Sequence, residues 1–113
     1  MIKQIKSSEI KSFIEKNPET VLLDVRTEDE WDNYGKPDGE KLGLKTYFLT
    51  VKDENFSNEF KDLSISKDYE ILTMCKVGQR SQFVAQLLEK NNYSCTNISD
   101  GFDGWKLSDL PCI

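Results

Sequence analysis

The stretch Met74-Cys75-Lys76-Val77-Gly78-Gln79-Arg80-Ser81 carries the residues best suited to chemistry. A thiol follows the apolar run at 69–74, a small glycine-containing loop comes next, and an arginine opens a helical pattern. Strand, cysteine loop and helix in that order present a thiolate to an anion. Successive backbone N–H groups in such a loop point inward as an anion-binding nest. The N-terminus of the next helix adds partial positive charge, and Lys76 and Arg80 add whole charges. Settings of this kind lower a cysteine pKa to about 3.5–7.5. A cysteine at the end of a buried strand is most often an inert small hydrophobe, but C-x-x-G-x-R-S is far more specific than a lone cysteine. It points to a nucleophilic Cys75 beside a small-oxyanion site made by Lys76, Val77, Gly78, Gln79, Arg80 and Ser81.

The bulk properties narrow the field. At 113 residues the chain is expected to form one domain, 1–113, with a core that needs no staples. A net charge of −5 argues against a nucleic-acid or anionic-membrane partner, so an anion site must be local. No apolar stretch is long enough to span a bilayer, and the N-terminus lacks the apolar segment of a secretory signal. Three cysteines with no C-x-x-C pair read as reduced thiols of a cytoplasmic protein. They are too scattered to suggest a metal site, and no cofactor is called for. There is no histidine, which excludes Ser-His, Cys-His and His-metal mechanisms.

The elements that must position Cys75 follow from periodicity. Ser7 or Ser8 can cap a first helix bearing Ile10, Phe13 and Ile14, which ends at Asn17-Pro18. The run 21–25 reads as a buried strand. Thr27 with Glu30 three residues later is a capping box that starts a short helix around Trp31. The stretch 34–43 reads as loop and 44–51 as a strand. Phe56, Phe60 and Leu63 make the stripe of an amphipathic helix. The strand at 69–74 leads into the cysteine loop, the helix at 80–89 buries Val84, Leu87 and Leu88, and 94–98 is a last strand. A glycine turn at Gly101 and a helical piece near Trp105 close the pattern. Alternating strands and helices predict an α/β fold: a doubly wound parallel sheet of about four to five strands, flanked by helices on both faces. Ligands bind beyond the carboxyl ends of such strands, where Cys75 and Asp24-Val25-Arg26 both fall.

These residues resemble the single-domain rhodaneses, a family of sulfurtransferases. Four features carry the resemblance, in the family's order: Leu22-Leu23-Asp24-Val25-Arg26 with Glu30-Trp31, the loop from Cys75 to Ser81, Asp100-Gly101-Phe102-Asp103-Gly104-Trp105, and Leu110-Pro111. The resemblance implies a persulfide mechanism. The loop cysteine takes the outer sulfur of a donor such as thiosulfate, holds it as Cys-S-S⁻, and passes it to a thiophilic acceptor, cyanide or a thiol. The implied partners are a small anionic sulfur donor and a protein thiol or persulfide. The chain departs from the family at 34–43, where a longer and more charged segment replaces a Gly-His-Ile-Pro-Gly-Ala-like one, which leaves donor and acceptor open.

Two other readings stand beside this one. The first is a non-enzymatic persulfide carrier or interaction module. The second is a phosphatase or arsenate reductase of the same fold, which uses five residues between cysteine and arginine where this chain has Lys76, Val77, Gly78 and Gln79. The narrower loop suits a sulfur atom better than a phosphate. Asp24 is read either as orienting the loop through Arg80 or as half of a solvated pair of little energetic weight. Arg26 is read as a rim residue that attracts anions, and Lys76 as an anion contact or a solvated lysine. Gly78 is expected to supply a positive φ or close ligand approach, and Ser81 a helix cap or a hydrogen bond to sulfur. Trp31, Trp105 and Cys95 are read as packing residues. Cys112 is expected to be mobile near the C-terminus, with a resolving-thiol role as the alternative.

Overall fold

The computed structural model describes residues 1–51 and 54–113. Five strands form one parallel sheet: β1 (Lys3–Ile5), β2 (Thr20–Asp24), β3 (Lys45–Phe48), β4 (Glu70–Met74) and β5 (Ser94–Ile98), in the spatial order β1-β5-β4-β2-β3. The helices between them are α1 (Ile10–Lys16), α2 (Glu28–Tyr34), α3 (Phe56–Asp62), α4 (Gln79–Lys90) and α5 (Gly101–Leu107), with 3-10 turns at Ser7–Glu9 and Gly39–Leu42. This is the doubly wound α/β architecture that the alternation predicts.

The sheet is covered on both faces, so its central strands are apolar on both sides. Side chains alternate between faces along each strand. Val21 and Leu23 of β2, Ile71 of β4 and Cys95 of β5 pack with Phe56 and Phe60 of α3 and Val84, Ala85 and Leu88 of α4. Leu22, Leu72, Met74 and Ile98 face the other way, onto Ile10 of α1 and Phe102 and Trp105 of α5. Each Val, Leu, Ile, Phe or Met among them contributes about 1.5–3 kcal/mol when fully buried. That term outweighs any surface ion pair, and it fixes which face each strand residue takes.

Three local features differ from expectation. The edge strand β1 is not visible in the sequence, because its three residues carry no apolar alternation; pairing of Lys3 with Thr96, Gln4 with Asn97 and Ile5 with Ile98 makes it a strand. Ser7 caps no helix, since its N–H and hydroxyl both donate to the Asp100 carboxylate. Cys112 is tied down: it forms an antiparallel bridge with Pro37, and the Ile113 N–H donates to the Lys36 carbonyl at 2.8 Å. The loop at 34–43 is thus pinned by the chain's last residues. The capping box does form, with Thr27 Oγ1 accepting from the Glu30 N–H and the Glu30 carboxylate accepting from the Thr27 N–H.

Helix α5 is docked directly on the chain that follows β4. The N–H groups of Phe102 and Asp103 donate to the carbonyls of Cys75 and Lys76, at 2.8 and 3.2 Å. Gly101 permits this approach: its φ is +58°, and a Cβ there would sit 2.3 Å from the Lys76 carbonyl oxygen. Gly101→Ala is expected to cost more than about 2 kcal/mol, combining left-handed strain with a backbone clash. A urea midpoint equal to that of the wild type would show that the docking is loose.

Candidate active site

Cys75 is the first residue beyond the central strand β4, and α4 begins four residues later at Gln79. Gly78 turns the chain between them with a φ of +98°, packed so closely on Ser99 that a Cβ would lie 2.4 Å from its carbonyl oxygen. The turn brings the Gly78 N–H to 3.1 Å and the Ser81 hydroxyl to 3.3 Å from the Cys75 sulfur. Meanwhile the Cys75 and Lys76 carbonyls point away, into α5. Donors face the sulfur and acceptors face outward, the polarity an anion requires.

Cys75 is 1% exposed. Burial pushes its pKa up, but the Ser81 hydroxyl and the N–H groups of Ser81, Gly78 and Val77 pull it down further, leaving it below the usual thiol value. The other thiols go the opposite way. Burial, with Glu89 and Glu70 nearby, pushes Cys95 up to about 12, and burial also raises Cys112. Of the three thiols, Cys75 alone has its pKa drawn down toward the reactive thiolate form.

The charged residues are arranged differently from expectation. Arg80 does not meet Asp24. It forms a two-bond fork with Glu30 of α2, Nη1 to Oε1 at 2.6 Å and Nη2 to Oε2 at 2.8 Å. The hydrogen bond from Arg80 is the largest of the influences that hold the Glu30 carboxyl down to about 2, against partial burial. Asp24 instead takes Arg26: Nη2 lies 2.9 Å from Oδ2, Nε 3.1 Å from both oxygens, and neither side chain is exposed to water. Arg26 therefore is not a rim residue. Its guanidinium lies 4.1 Å over the Phe102 ring and donates to the Gly35 carbonyl.

The reason is periodicity. Residues two apart on an extended chain share a face, so Arg26 follows Asp24 onto the α5 side of the sheet, whereas Arg80 sits on α4, across it. The sequence shows Glu30 as a capping residue and as part of the Glu30-Trp31 element but not as a partner of Arg80, yet its carboxylate serves Thr27 and Arg80 together.

The remaining residues divide between rim and core. Lys76 is half-buried, with its ammonium 3.0 Å from Asp103 and 5.3 Å from the centre of the Tyr34 ring. Val77 and Gln79 are exposed on the loop's crest. Trp105 is fully buried, its indole N–H donating to the Pro111 carbonyl, and Trp31 stands edge-on to Phe48. One contributor was missed. Asn97 of β5 accepts from the Ser81 hydroxyl at 2.6 Å and donates to the Gly78 carbonyl at 3.0 Å. Its signal was a primary amide in a strand buried on both faces, where every polar atom needs a partner.

Two measurements test these assignments. Arg26→Ala leaves the Asp24 carboxylate buried without its cation, so a loss of about 3–5 kcal/mol in urea unfolding is expected; a rim arginine would leave stability within about 0.5 kcal/mol. Glu30 has a lowered pKa, so its contribution is full above about 4.5 and is lost as pH falls through about 2. Glu30→Gln should lower stability at neutral pH by about 1 kcal/mol and flatten the decline between those two pH values. An unchanged acid limb would show that the ion pair adds nothing.

A family model described as Rhodanese-like domain matches residues 7–108. An uncharacterized protein of Rickettsia prowazekii is 32% identical over 98% of this chain and 97% of its own length. A putative sulfurtransferase of Bacillus subtilis is 25% identical over 97% of this chain and 96% of its own. Among solved structures, a protein from M. tuberculosis superposes with a TM-score of 0.78 at 26% identity, covering 98% of this chain and 96% of that one. A polysulfide-sulfur transferase from Wolinella succinogenes shares the fold, with a TM-score of 0.80 at 19% identity over 99% of this chain and 78% of that one. With the match extending over most of its length and a cysteine loop closed by α4 and α5, the chain belongs to the rhodanese-like domain family.

Proposed function

We propose that the protein is a sulfurtransferase that moves a sulfane sulfur from a donor such as thiosulfate to cyanide or a thiol, through a persulfide on Cys75. The observation that carries this reading is the buried Cys75 sulfur held by the Gly78 N–H and the Ser81 hydroxyl, with its pKa lowered. The putative sulfurtransferase of Bacillus subtilis supports it at the level of reaction class.

In the first step the thiolate attacks the outer sulfur of thiosulfate. The new bond joins Cys75 Sγ to that sulfur, the donor's S–S bond breaks, and its electron pair leaves on sulfite. One negative charge stays on Cys-S-S⁻ and two leave with sulfite, so charge balances. Cyanide or a thiolate then attacks the outer sulfur, and the electron pair returns to Cys75. No proton moves in either step, so a chain without histidine can run both. The inward N–H groups stabilise each anion in turn without reorganising. Lys76 and Arg80, both tied to carboxylates, serve as positioning cations at the rim more than as free binding charges. With four residues between Cys75 and Arg80, the cradle suits one added sulfur better than a tetrahedral phosphate.

The working setting is a reducing cytoplasm, where the three free thiols persist. Among the described residues no helix is long and apolar enough to cross a membrane. Exposed Val77 on the loop and Phe83 on α4 favour a protein thiol as one acceptor.

Intact-protein mass after incubation with thiosulfate tests the reading. Wild type should gain one sulfur that a cyanide chase removes, and Cys75→Ser should gain none. No adduct on folded, reduced wild type would remove thiosulfate as donor. An adduct that turns over slowly with cyanide but transfers quickly to a protein thiol would assign the carrier role instead.

A further inference from the structure

The buried part of the sheet's α4 face is apolar except for one row that crosses it. Strand register places Gln4 of β1 opposite Asn97 of β5, and Asn97 opposite Thr73 of β4. The row ends against Leu23 of β2. Thr73 and Asn97 are buried and Gln4 is exposed; buried polar side chains cost free energy unless each is paired, and Asn97 finds its partners in the helix turn that holds the sulfur.

We infer that Asn97 is the positioning residue for the Cys75 nucleophile: its amide nitrogen ties the Gly78 carbonyl to the sheet, so that the Gly78 N–H stays on the sulfur, and its oxygen competes with the sulfur for the one Ser81 proton. The inference rests on the reading of Cys75 as nucleophile. It assigns Asn97 no contact with substrate.

The carboxamide is 2% exposed, and its hydrogen-bonding capacity is filled. Oδ1 accepts from Thr73 Oγ1 at 3.2 Å and from Ser81 Oγ at 2.6 Å. Nδ2 donates to Gln4 Oε1 at 2.9 Å and to the Gly78 carbonyl at 3.0 Å. A flipped amide would set its oxygen against that carbonyl, so the orientation follows from the partners. Gln4 is held in turn by Gln82 of α4. The clamp thus grips both ends of the turn that carries the donors, Gly78 at the start and Ser81 in the first helical turn.

Ser81 has one hydroxyl proton and two acceptors, the Asn97 oxygen and the sulfur. In the thiol form the S–H donates to Ser81 Oγ, and the Ser81 proton goes to Asn97. Once the thiol proton leaves to solvent, the Ser81 proton turns to the sulfur, and Thr73 keeps the Asn97 oxygen satisfied. Neither state leaves a buried polar atom unpaired, which would cost about 1–3 kcal/mol. The charges around the thiol are Arg80 with Glu30 from α2, Asp24 with Arg26 from β2 and its extension, and Lys76 with Asp103 from α5. None of them belongs to the clamp, so a change at Asn97 leaves them in place.

The test is the pH dependence of Cys75 alkylation by iodoacetamide, read by peptide mass so that Cys95 and Cys112 do not contribute. Asn97→Leu fills the space without hydrogen bonds. In a Ser81→Ala background only the tie to Gly78 is left to lose, so adding Asn97→Leu there should raise the alkylation midpoint by about half to one pH unit, with a rate about 3- to 10-fold lower on the acid side of the Ser81→Ala midpoint. With Ser81 present the rise should be smaller, because loss of the Asn97 oxygen frees the Ser81 proton for the sulfur. A folded double variant whose midpoint is unchanged from that of Ser81→Ala, or lower, overturns the inference. If that variant does not fold, Gln4→Met decides, since Gln4 lies on the exposed edge strand: a smaller rise supports the clamp and an unchanged midpoint overturns it. Iodoacetamide is not a sulfur donor, so a shifted midpoint without persulfide formation would sink the sulfur-transfer reading and leave the role of Asn97 standing.

Discussion

A sulfur enclosed by protein with hydrogen-bond donors aimed at it is the constraint on which the rest of the structure depends. At 1% exposure Cys75 has little water to solvate a thiolate, and an unpaired buried charge is among the costliest things a fold can hold. The solution is to aim donors at it from a turn too tight for any residue but glycine at its corner. That turn is stable only because its carbonyls, displaced outward, find the N–H groups of Phe102 and Asp103. The docking of α5, the left-handed backbone at Gly101 and the burial of Trp105 all go with a turn that aims its donors at one sulfur.

A second layer supports the first from the opposite side of the sheet. Arg26, neutralised by Asp24 and laid over Phe102, holds the Gly35 carbonyl at the start of the segment 34–43. The chain's last residues pair with the same segment through Pro37 and Lys36. A buried ion pair of this kind contributes little net stability compared with apolar packing. What it supplies here is position, because a fork with fixed geometry links β2, the 34–43 segment and α5 at one point.

Much of this was legible in the sequence. Both faces of the sheet follow from the apolar runs at 21–25 and 71–74, and the cysteine loop announces itself through glycine and arginine at set distances from Cys75. What was not legible depends on register and on which face a side chain takes. Of the two readings of Asp24, the one that pairs it with Arg80 fails for this reason, since sequence spacing does not reveal that a sheet lies between them, and the solvated pair fails because Asp24 and Arg26 are both buried. Edge strand β1 and the row Gln4, Asn97 and Thr73 were hidden for a related reason. Each residue is unremarkable locally, and the three become a unit only when three strands separated by much of the chain lie side by side.

The ion pairs around the cradle are each closed: Arg80 on Glu30, Lys76 on Asp103, Arg26 on Asp24. An approaching anion therefore meets little uncompensated monopole, and the whole molecule, at −5, repels it. What remains attractive is a cluster of backbone dipoles, whose field decays with distance faster than that of a charge. The cradle is thus short-sighted. It cannot gather anions from solution by long-range steering, and it discriminates among them at contact, by whether their outline lets them reach the N–H groups.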